Sequence, residues 1–315
     1  MSFSFTNMSF REANALAWRH LILTLLFFLP QAARIRLERR LRGREEYRKL
    51  QQADWVLMSW GKSGRTWFRV MLSRFYQLHF DLPTEHMLEF DNYRGLDGRL
   101  PKVLFSHNNY MRDYLQNFSN LEHFRGKKVV FLVRDPRDVA VSQYFQWRYR
   151  MRPNKKFLNN YPPHGAEVEL FDFVMNPECG APKIVDYCNG WAQAVEMMGD
   201  DLLIIRYEDM RRDPKEVMTR VFEFTGTPGT DQQVQEAVDY AAYDNMKKLE
   251  AQKGMQASGQ RVKPGDKDNP DSFKVRRGKV GGYRDYFTAE QLAEIDRLVE
   301  QELDPVFGYC EISEK

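Results

Sequence analysis

Short apolar segments alternate with longer amphipathic ones from about residue 50 to the end of the chain. Four of the short segments are almost wholly apolar and rich in β-branched or aromatic residues: 55–60, 102–106, 128–133 and 202–207. Apolar runs of this length are typical of strands that are buried on both faces of a parallel sheet. We therefore predict four buried strands.

Between and after these strands, apolar residues recur with helical spacing, which predicts helices over 66–77, 136–149, 181–198, 214–224 and 288–303. The alternation favours a doubly wound α/β fold, with a mainly parallel central sheet flanked by helices. Ligands of such sheets bind beyond the carboxyl ends of the strands, so residues that follow a strand are the first functional candidates. Segments 152–165 and 251–274, rich in proline and polar residues, are predicted to be long loops.

The first 48 residues show a different pattern. Residues 21–29 form an apolar run that Pro30 ends, and this run is shorter than the roughly 20 residues that a membrane-spanning helix needs. After Pro30, Ala33, Leu37 and Leu41 recur at every fourth position with arginines on the other faces. This pattern is typical of a basic amphipathic helix at an anionic lipid surface.

We therefore predict an N-terminal segment, residues 1–48, that contacts a membrane surface through residues 16–44, and a main domain over residues 49–315. The alternatives are packing on the main domain, contact with a second subunit of a homo-oligomer, and a true membrane span. If the segment spans, its arginines place the main domain in the cytoplasm. We expect a cytoplasmic protein, peripheral at the inner face of a membrane.

The charge and cysteine content of the chain limit which classes of partner and compartment are expected. A net charge of +3 gives no indication of a nucleic-acid partner, and the positive charge is local: residues 31–50 hold eight Arg or Lys against three Glu. Cys179, Cys188 and Cys310 form no C-x-x-C pattern. We expect a reducing compartment, with no disulfide framework and no zinc site.

The loop after the first strand indicates an anion site. It contains Lys62, Ser63, Gly64 and Thr66, and a helix begins near its end, where backbone N–H groups and the helix dipole favour negative charge. The triphosphate loop G-x-x-x-x-G-K-[ST] needs a glycine where this chain has Val56, which argues against a nucleoside triphosphate. The alternative is an ordinary turn with a surface lysine.

Two further stretches indicate anion sites. After the third strand, Arg134 precedes a helix that Asp135 can cap and Pro136 can open, and Ser142 lies two turns into that helix. The alternative for Arg134 is a surface ion pair. Near the C-terminus, Arg276 and Arg277 precede a glycine in a basic loop that could close on a phosphate.

Together, in this order and spacing, the three stretches resemble the sulfotransferase family that uses 3′-phosphoadenosine 5′-phosphosulfate (PAPS). The family's P-K-S-G-T-T-W corresponds to residues 61–67, its R-x-P-x-D-x-x-x-S to residues 134–142, and its R-K-G-x-x-G-D-W-K-N-x-F-T to residues 276–288, where positions 282–285 depart from it. The resemblance covers about residues 52–305 and implies the P-loop-like sulfotransferase fold. It implies PAPS as donor, PAP (adenosine 3′,5′-bisphosphate) as product, and no metal, because Lys and Arg supply the positive charge.

The resemblance also implies roles for single residues. The 5′-phosphosulfate would be held by Lys62, Ser63, Gly64, Arg65 and Thr66. The 3′-phosphate would be held by Arg134 and Ser142, with Arg276, Arg277 and Gly278. The adenine would stack on Trp67, and would contact Tyr207 and Tyr243, the last in place of a family phenylalanine.

The resemblance gives the family's general base to His107, at the end of the second predicted strand, with Lys62 as the second catalytic residue. Histidine suits removal of a proton from a hydroxyl near neutral pH. The family lysine two positions before this histidine is Phe105 here, and Arg65 replaces a family threonine. We hypothesise that Arg65 supplies the missing charge.

The sequence leaves the acceptor open: a hydroxyl or amine on a lipid, a glycan or a small alcohol. The aromatic stretch 144–161 and the N-terminal segment favour a lipid or glycolipid. The alternative functions are a P-loop kinase or NTPase, a non-catalytic membrane-associated scaffold of the same fold, and a lumenal sulfotransferase. The family's C-terminal dimer motif is degraded at residues 284–293, so the resemblance does not imply dimerisation by that route.

Overall fold

The computed structural model describes residues 10–84, 86–117, 121–251, 269–273 and 276–310. Its strands are β1 (Trp55–Ser59), β2 (Val103–Ser106), β3 (Lys128–Val133) and β4 (Leu202–Arg206). Its helices up to the last strand are α1 (Phe10–Leu25), α2 (Gln31–Gln52), α3 (Arg65–His79), α4 (Met111–Leu115), α5 (Pro136–Tyr149), α6 (Pro153–Leu158), α7 (Leu170–Val174), α8 (Ala181–Ala192) and α9 (Ala194–Met198). After β4 follow α10 (Tyr207–Arg212), α11 (Pro214–Phe224), α12 (Asp231–Tyr240), α13 (Tyr243–Ala251) and α14 (Ala289–Glu302).

The four predicted strands form one parallel sheet in the order β2-β1-β3-β4. In the register of this sheet, Leu57 of β1 pairs with Phe105 of β2 on one side and with Val130 of β3 on the other. The chain leaves β1 toward one edge and later returns to its other side as β3. The switch point between β1 and β3 is where such sheets bind ligands.

Helices cover both faces of the sheet, which is why its strands are apolar throughout. Side chains of β1 alternate between a core shared with α5, α8 and α14 and a core shared with α3, α11 and α12. Helix α5 begins as predicted, since Pro136 is its first residue and Asp135 accepts a hydrogen bond from the backbone of Arg137. The doubly wound α/β prediction is confirmed.

Two local features differ from the predicted pattern. The single helix predicted over 181–198 is divided at Gln193 into α8 and α9. The loop predicted over 152–165 contains the short helix α6, which Pro153 begins. Most of the second predicted loop, 251–274, lies outside the described residues.

The basic helix after Pro30 is α2, and it continues past the predicted boundary at residue 48 to Gln52. It packs closely on α4, because a Cβ atom at Gly43 would stand 2.1 Å from the carbonyl oxygen of Tyr110. Leu50 near its end is fully buried in the core. Within the described residues, no helix combines the length and the apolar character that crossing a membrane requires.

Candidate active site

A cavity of about 680 Å³ opens beyond the carboxyl ends of the strands. The sequence predicts 14 site residues. Thirteen of them line this cavity, and the side chain of the remaining one, Ser63, is buried. We distinguish two ends. The basic end is formed by Lys62, Gly64, Thr66, Trp67, Arg134, Ser142, Tyr207, Tyr243, Arg276, Arg277, Gly278 and Lys279. The mixed end is formed by Arg39, Trp60, Asn109, Tyr110, Arg112, Asp113, Lys155, Asn159, Lys183, Asp186 and Tyr187.

The loop between β1 and α3 turns sharply at the basic end. Gly64 caps α3 with a φ of +96°, in the left-handed region that glycine adopts without strain. A Cβ atom at this position would stand 2.6 Å from the Tyr207 ring. A glycine is therefore needed both for the turn and for the approach of the aromatic ring.

Arg134 joins the loop between β1 and α3 to the basic loop of residues 276–288, which we call the late loop. Its guanidinium donates to the Lys62 carbonyl oxygen, to the Lys279 carbonyl oxygen and to the Asp138 carboxylate, each at 3.3 Å, and lies 4.3 Å from the Tyr207 ring centre. Burial lowers the pKa of Arg134, but Asp138, Tyr207 and Glu208 together outweigh burial and the pKa is raised overall. The three stretches that the sequence predicts to bind anions thus lie together and are connected.

Asp138 also lines the cavity, beside the basic end, and we predicted no role for it from the sequence. Its carboxylate accepts hydrogen bonds from the backbone N–H groups of Gly281 and Tyr283, both at 3.0 Å, as well as from Arg134. It therefore fixes the late loop against α5. The signal was present, because Asp138 is the fixed acidic position of the second family motif.

The late loop has its own internal ion pairs. Asp285 accepts from Arg277 at 2.7 Å and from Lys279 at 2.8 Å. The hydrogen bond from Lys279 is the main reason that the pKa of Asp285 is lowered. Arg276 lies 3.9 Å from the Phe145 ring centre, and both Arg276 and Arg277 donate to the Tyr286 hydroxyl.

Three aromatic residues gather beside these cations. The Trp67 indole donates to the Ala241 carbonyl oxygen at 2.8 Å, and its ring meets Tyr207 edge-on at 6.0 Å. The Tyr243 hydroxyl donates to the Arg276 carbonyl oxygen at 3.4 Å. Gly278 has a φ of +60°, in the left-handed region that favours glycine, and it lies beside the Tyr243 ring.

His107 follows β2 directly, and its tautomer is set by two neighbours. Arg65 Nη2 lies 2.5 Å from His107 Nε2, and because a guanidinium has only donors, Nε2 is the acceptor. His107 Nδ1 then carries the hydrogen and donates to the Ser59 carbonyl oxygen. Arg65 Nη1 also donates to the Ser106 carbonyl oxygen at 2.9 Å.

The N-terminal segment reaches the region around His107, in line with the alternative that it packs on the main domain. Glu46 of α2 accepts a hydrogen bond from the Ser106 hydroxyl, and that hydroxyl accepts from the backbone of Asn108 at 2.8 Å. Burial raises the pKa of Glu46, with Ser106 and Arg65 opposing the shift. Helix α2 therefore supports the end of β2, where His107 lies.

Helix α2 also forms part of the mixed end. Arg39 donates to Asp113 at 2.6 Å, to the Asn109 carbonyl oxygen at 3.1 Å and to the Leu158 carbonyl oxygen. Its guanidinium lies 5.4 Å from the Tyr110 ring centre. One arginine thereby joins α2, α4 and α6 into a single wall.

The mixed end has a second set of polar contacts around Tyr110. The Tyr110 hydroxyl donates to Asn159 Oδ1 at 3.0 Å and accepts from Lys155 Nζ at 3.3 Å. Asn109 donates to the same oxygen of Asn159 at 3.1 Å. This part of the mixed end is therefore polar and internally hydrogen-bonded.

Comparisons of the sequence and of the fold with known proteins indicate the same family. A sequence profile described as the sulfotransferase domain matches residues 52–307. Cytosolic sulfotransferase 17 of Arabidopsis thaliana is 28% identical over 281 residues, covering 82% of this chain and 76% of that protein. Flavonol 3-sulfotransferase of Flaveria bidentis is 24% identical, with 82% and 84% covered. The crystal structure of mouse sulfotransferase SULT7A1 complexed with PAP superposes with a TM-score of 0.53 at 20% identity, covering 82% of this chain and 89% of that one.

The chain therefore belongs to the sulfotransferase family, and the family prediction from its motifs is confirmed. The likeness to the solved structure, at its low identity, shows the shared fold, which is the P-loop-like α/β fold expected. The protein is thus an enzyme of the sulfuryl-transfer class. The roles of its individual residues stay predictions, as does the absence of a metal from the reaction.

Proposed function

We propose that the protein transfers a sulfuryl group from PAPS to a hydroxyl of an acceptor molecule and releases PAP. Family membership supports this reaction. One geometric observation supports the site: His107 lines the same cavity as the cations of two separate stretches, which Arg134 links through the carbonyl oxygens of Lys62 and Lys279. Two linked cation groups suit a ligand with two anionic ends.

The cations and aromatic rings of the basic end suit the phosphates and the adenine of PAPS. Lys62, Ser63, Gly64, Arg65 and Thr66 would hold its 5′ end; Arg134, Ser142, Arg276, Arg277 and Gly278 its 3′-phosphate; Trp67, Tyr207 and Tyr243 its adenine. The glycine at position 64 supports this assignment, because any side chain there would collide with Tyr207, one of the residues assigned to the adenine. When bound, PAPS supplies the activated sulfuryl group.

In this proposal His107 acts as the general base. Ser59 holds its Nδ1–H, so Nε2 carries the lone pair that takes the proton of the acceptor hydroxyl as the acceptor oxygen forms its bond to sulfur. Lys62 and the N–H groups of the loop before α3 stabilise the negative charge on the phosphate oxygen as its bond to sulfur breaks.

Arg65 has to move in this reaction. Its guanidinium donates to His107 Nε2, the atom that must accept the proton. If it turns from His107 toward the transferred group, it supplies the positive charge that Phe105 cannot supply. This geometry supports the hypothesis that Arg65 compensates for the missing lysine.

The donor site is tested by thermal shift with PAP and with ATP at equal concentration. We expect a clearly larger rise in Tm with PAP, because at equal concentration the ligand with the lower Kd stabilises the folded state more. A P-loop kinase would show the opposite preference. A non-catalytic scaffold would bind PAP but transfer no labelled sulfuryl group from PAPS to any component of a cell extract.

We further propose that the N-terminal segment rests on an anionic membrane surface. On α1, Trp18, Leu21 and Leu25 share one helix face and are 64%, 47% and 63% exposed, and Phe27 and Phe28 extend this apolar patch. Four exposed arginines follow on α2 at four-residue spacing: Arg36, Arg40, Arg44 and Arg48. Arg19 bonds to Glu45 and so ties α1 to α2. Apolar and basic groups side by side suit an anionic lipid surface.

Vesicle co-sedimentation tests this surface. We expect binding to phosphatidylglycerol vesicles, weaker binding to phosphatidylcholine, and a loss of about tenfold for Leu25→Glu, because a buried leucine contributes about 1.5–3 kcal/mol. Leu96→Glu, at an apolar side chain of similar exposure, is the matched control. Equal binding of all three proteins to both vesicles would reject the proposal. The cytoplasmic location and a homo-oligomer stay predictions.

A further inference from the structure

Glu46 of α2 carries a carboxylate that the reaction proposed above does not use. The carboxylate accepts a hydrogen bond from the Ser106 hydroxyl. Burial raises the pKa of Glu46, while this hydrogen bond and the charge of Arg65 oppose the shift. Taking a carboxylate out of water costs stability unless its contacts compensate, so these contacts are specific to the site. Glu46 lies before residue 52, where the sulfotransferase profile begins, so family membership gives it no role.

Ser106 connects Glu46 to the residues around His107. It is only 1% exposed, and its hydroxyl donates to Glu46 and accepts from the backbone N–H of Asn108 at 2.8 Å. Its carbonyl oxygen accepts from Arg65 Nη1 at 2.9 Å. His107 lies between Ser106 and Asn108 in the chain, so one hydroxyl group fixes the backbone on both sides of His107. We call residues 106–108 the His107 turn.

The backbone of the His107 turn has an unusual conformation. Asn108 has a φ of +56°, in the left-handed region that residues other than glycine adopt uncommonly. It is 1% exposed, and its side-chain oxygen lies 3.4 Å from His123 Nε2. A backbone of this kind persists where surrounding contacts hold it, and such conformations are concentrated at functional sites. The hydrogen bond from Asn108 to Ser106, and the Glu46 contact behind it, are contacts of this kind.

One face of α2 contacts the chain that follows β2. Arg39, Gly43 and Glu46 recur at spacings of four and three residues, which places them on the same side of the helix. Gly43 lets α2 approach the Tyr110 backbone, and Arg39 donates to the Asn109 carbonyl oxygen at 3.1 Å. These contacts set the position of the helix, so the Glu46 carboxylate is held at the His107 turn by its neighbours on α2.

We propose that Glu46 is a positioning residue for the general base: its hydrogen bond with Ser106 holds the His107 turn. The imidazole then keeps Nδ1–H on the Ser59 carbonyl oxygen and presents Nε2 to the acceptor hydroxyl. The contact matters most when Arg65 turns from Nε2 toward the transferred group, because the ring then loses its partner at that nitrogen. This inference rests on the proposed sulfuryl transfer.

Nuclear magnetic resonance of the imidazole nitrogens tests the position of His107 without any acceptor. The full-length protein is labelled with ¹⁵N in its six histidines, and His107→Ala identifies the signals of His107. We expect the wild type to show one His107 tautomer, with the hydrogen on Nδ1. We expect both tautomers in Glu46→Ala, because the Ser59 and Arg65 contacts of the ring depend on the His107 turn. The wild-type tautomer alone in Glu46→Ala overturns the proposal.

The rate of transfer tests whether Glu46 acts through Ser106. The initial rate of ³⁵S transfer from saturating PAPS to a total cell extract is measured per PAP-binding site, counted by calorimetry. We expect Glu46→Ala and Ser106→Ala each to lower the rate about tenfold, with PAP affinity unchanged, because the base is misplaced. The double variant should be no slower than either, because both changes break one contact. Glu46→Gln should keep at least about a third of the rate, because its amide oxygen still accepts from Ser106. Additive losses, or a Glu46→Gln rate as low as that of Glu46→Ala, overturn the proposal.

Glu38→Ala is the matched control on the same helix. Glu38 accepts from Arg42 within α2, its side chain is 17% exposed, and it does not line the cavity. Its substitution should leave the rate and the His107 tautomer unchanged. If Glu46→Ala lowers Tm alone, with the rate per site and the tautomer of the wild type, Glu46 only fastens α2 and the proposal is wrong. If the wild type itself transfers no label, the proposed function fails, whereas the imidazole signals still report whether Glu46 positions His107.

Discussion

The two ends of the cavity are built in different ways. The cations of the basic end come from short stretches after β1 and β3 and from one late loop, with Tyr207 after β4 and Tyr243 of α13 beside them. The mixed end takes its residues from α2, α4, α6 and α8, from the turns after β2 and α6, and from Trp60 after β1. Only the three-dimensional fold brings these together.

This difference determines which substitutions each end of the cavity can tolerate. At the basic end, Arg134 bonds to two backbone carbonyls and to Asp138, so a substitution there disturbs several stretches at once. At the mixed end, the wall depends on Arg39 and on side chains around Tyr110. We infer that the basic end is fixed for one donor, whereas the mixed end can vary by single substitutions.

The largest expected effects lie where the two ends meet. His107→Ala should lower kcat by about 10²–10⁴-fold, because it removes the general base. Lys62→Ala should lower kcat by about 10²–10³-fold, because it removes positive charge from the breaking bond. Initial rates with labelled PAPS measure both changes.

A matched control separates catalysis from folding. His164→Ala removes an exposed histidine that does not line the cavity, and it should leave kcat unchanged. His107→Ala should still bind PAP, since His107 belongs to the acceptor side of the reaction. Turnover near the wild-type rate in either active-site variant would contradict the assignment of that residue.

Arg134→Ala tests whether the basic end is one connected site. We expect PAP affinity to fall about 100-fold, because a charge-assisted hydrogen bond contributes about 1.5–3 kcal/mol and Arg134 also organises its neighbours. The effect on kcat should be smaller. Calorimetric titration with PAP measures the loss.

Arg134→Lys is the control for charge alone. It keeps a cation beside Asp138, whose side chain is only 3% exposed, but loses the planar guanidinium. We expect an intermediate loss of about tenfold. An affinity equal to that of the wild type in both variants would mean that Arg134 is a structural ion pair, the alternative that the sequence left open.

The contrast between the ends also explains what the sequence could predict. The basic end could be predicted from the sequence because most of its residues follow buried strands, and parallel strands bring their carboxyl ends to one edge of the sheet. Nine of the 13 predicted residues that line the cavity follow a strand, and the other four, Tyr243, Arg276, Arg277 and Gly278, lie farther along the chain. Asp138 was visible only as a motif position, because its partners are backbone groups whose place depends on how the late loop folds.

The mixed end could not be predicted in the same way. A basic amphipathic helix presents the same pattern whether it lies on lipid or packs on protein, so the pattern of α2 did not reveal its contact with α4. That contact depends on Gly43 meeting the Tyr110 backbone, 67 residues later in the chain. The roles of Arg39 and Glu46 follow from it and were missed with it.

Arg65→Ala is expected to have a moderate effect at the junction of the ends. We expect kcat to fall about tenfold, because a cation near the transferred group is lost while the cradle of Lys62 and backbone N–H groups remains. Arg65→Lys should recover part of the loss. Rates with saturating PAPS measure the change, and unchanged turnover in Arg65→Ala would refute the compensation for Phe105.

The smallest expected effect is within the basic end itself, at Asp285. Its carboxylate bonds to Arg277 and Lys279, and because its pKa is lowered by the hydrogen bond from Lys279, it stays negative at neutral pH. Asp285→Asn should release Arg277 for the 3′-phosphate and tighten PAP binding by about two- to fivefold, the range expected for an exposed ion pair. Asp97→Asn, which removes an exposed partner of Arg99 away from the cavity, should leave PAP affinity unchanged. Weaker PAP binding in Asp285→Asn would instead show that Asp285 positions Arg277, so that even the exposed edge of the basic end is preorganised for its donor.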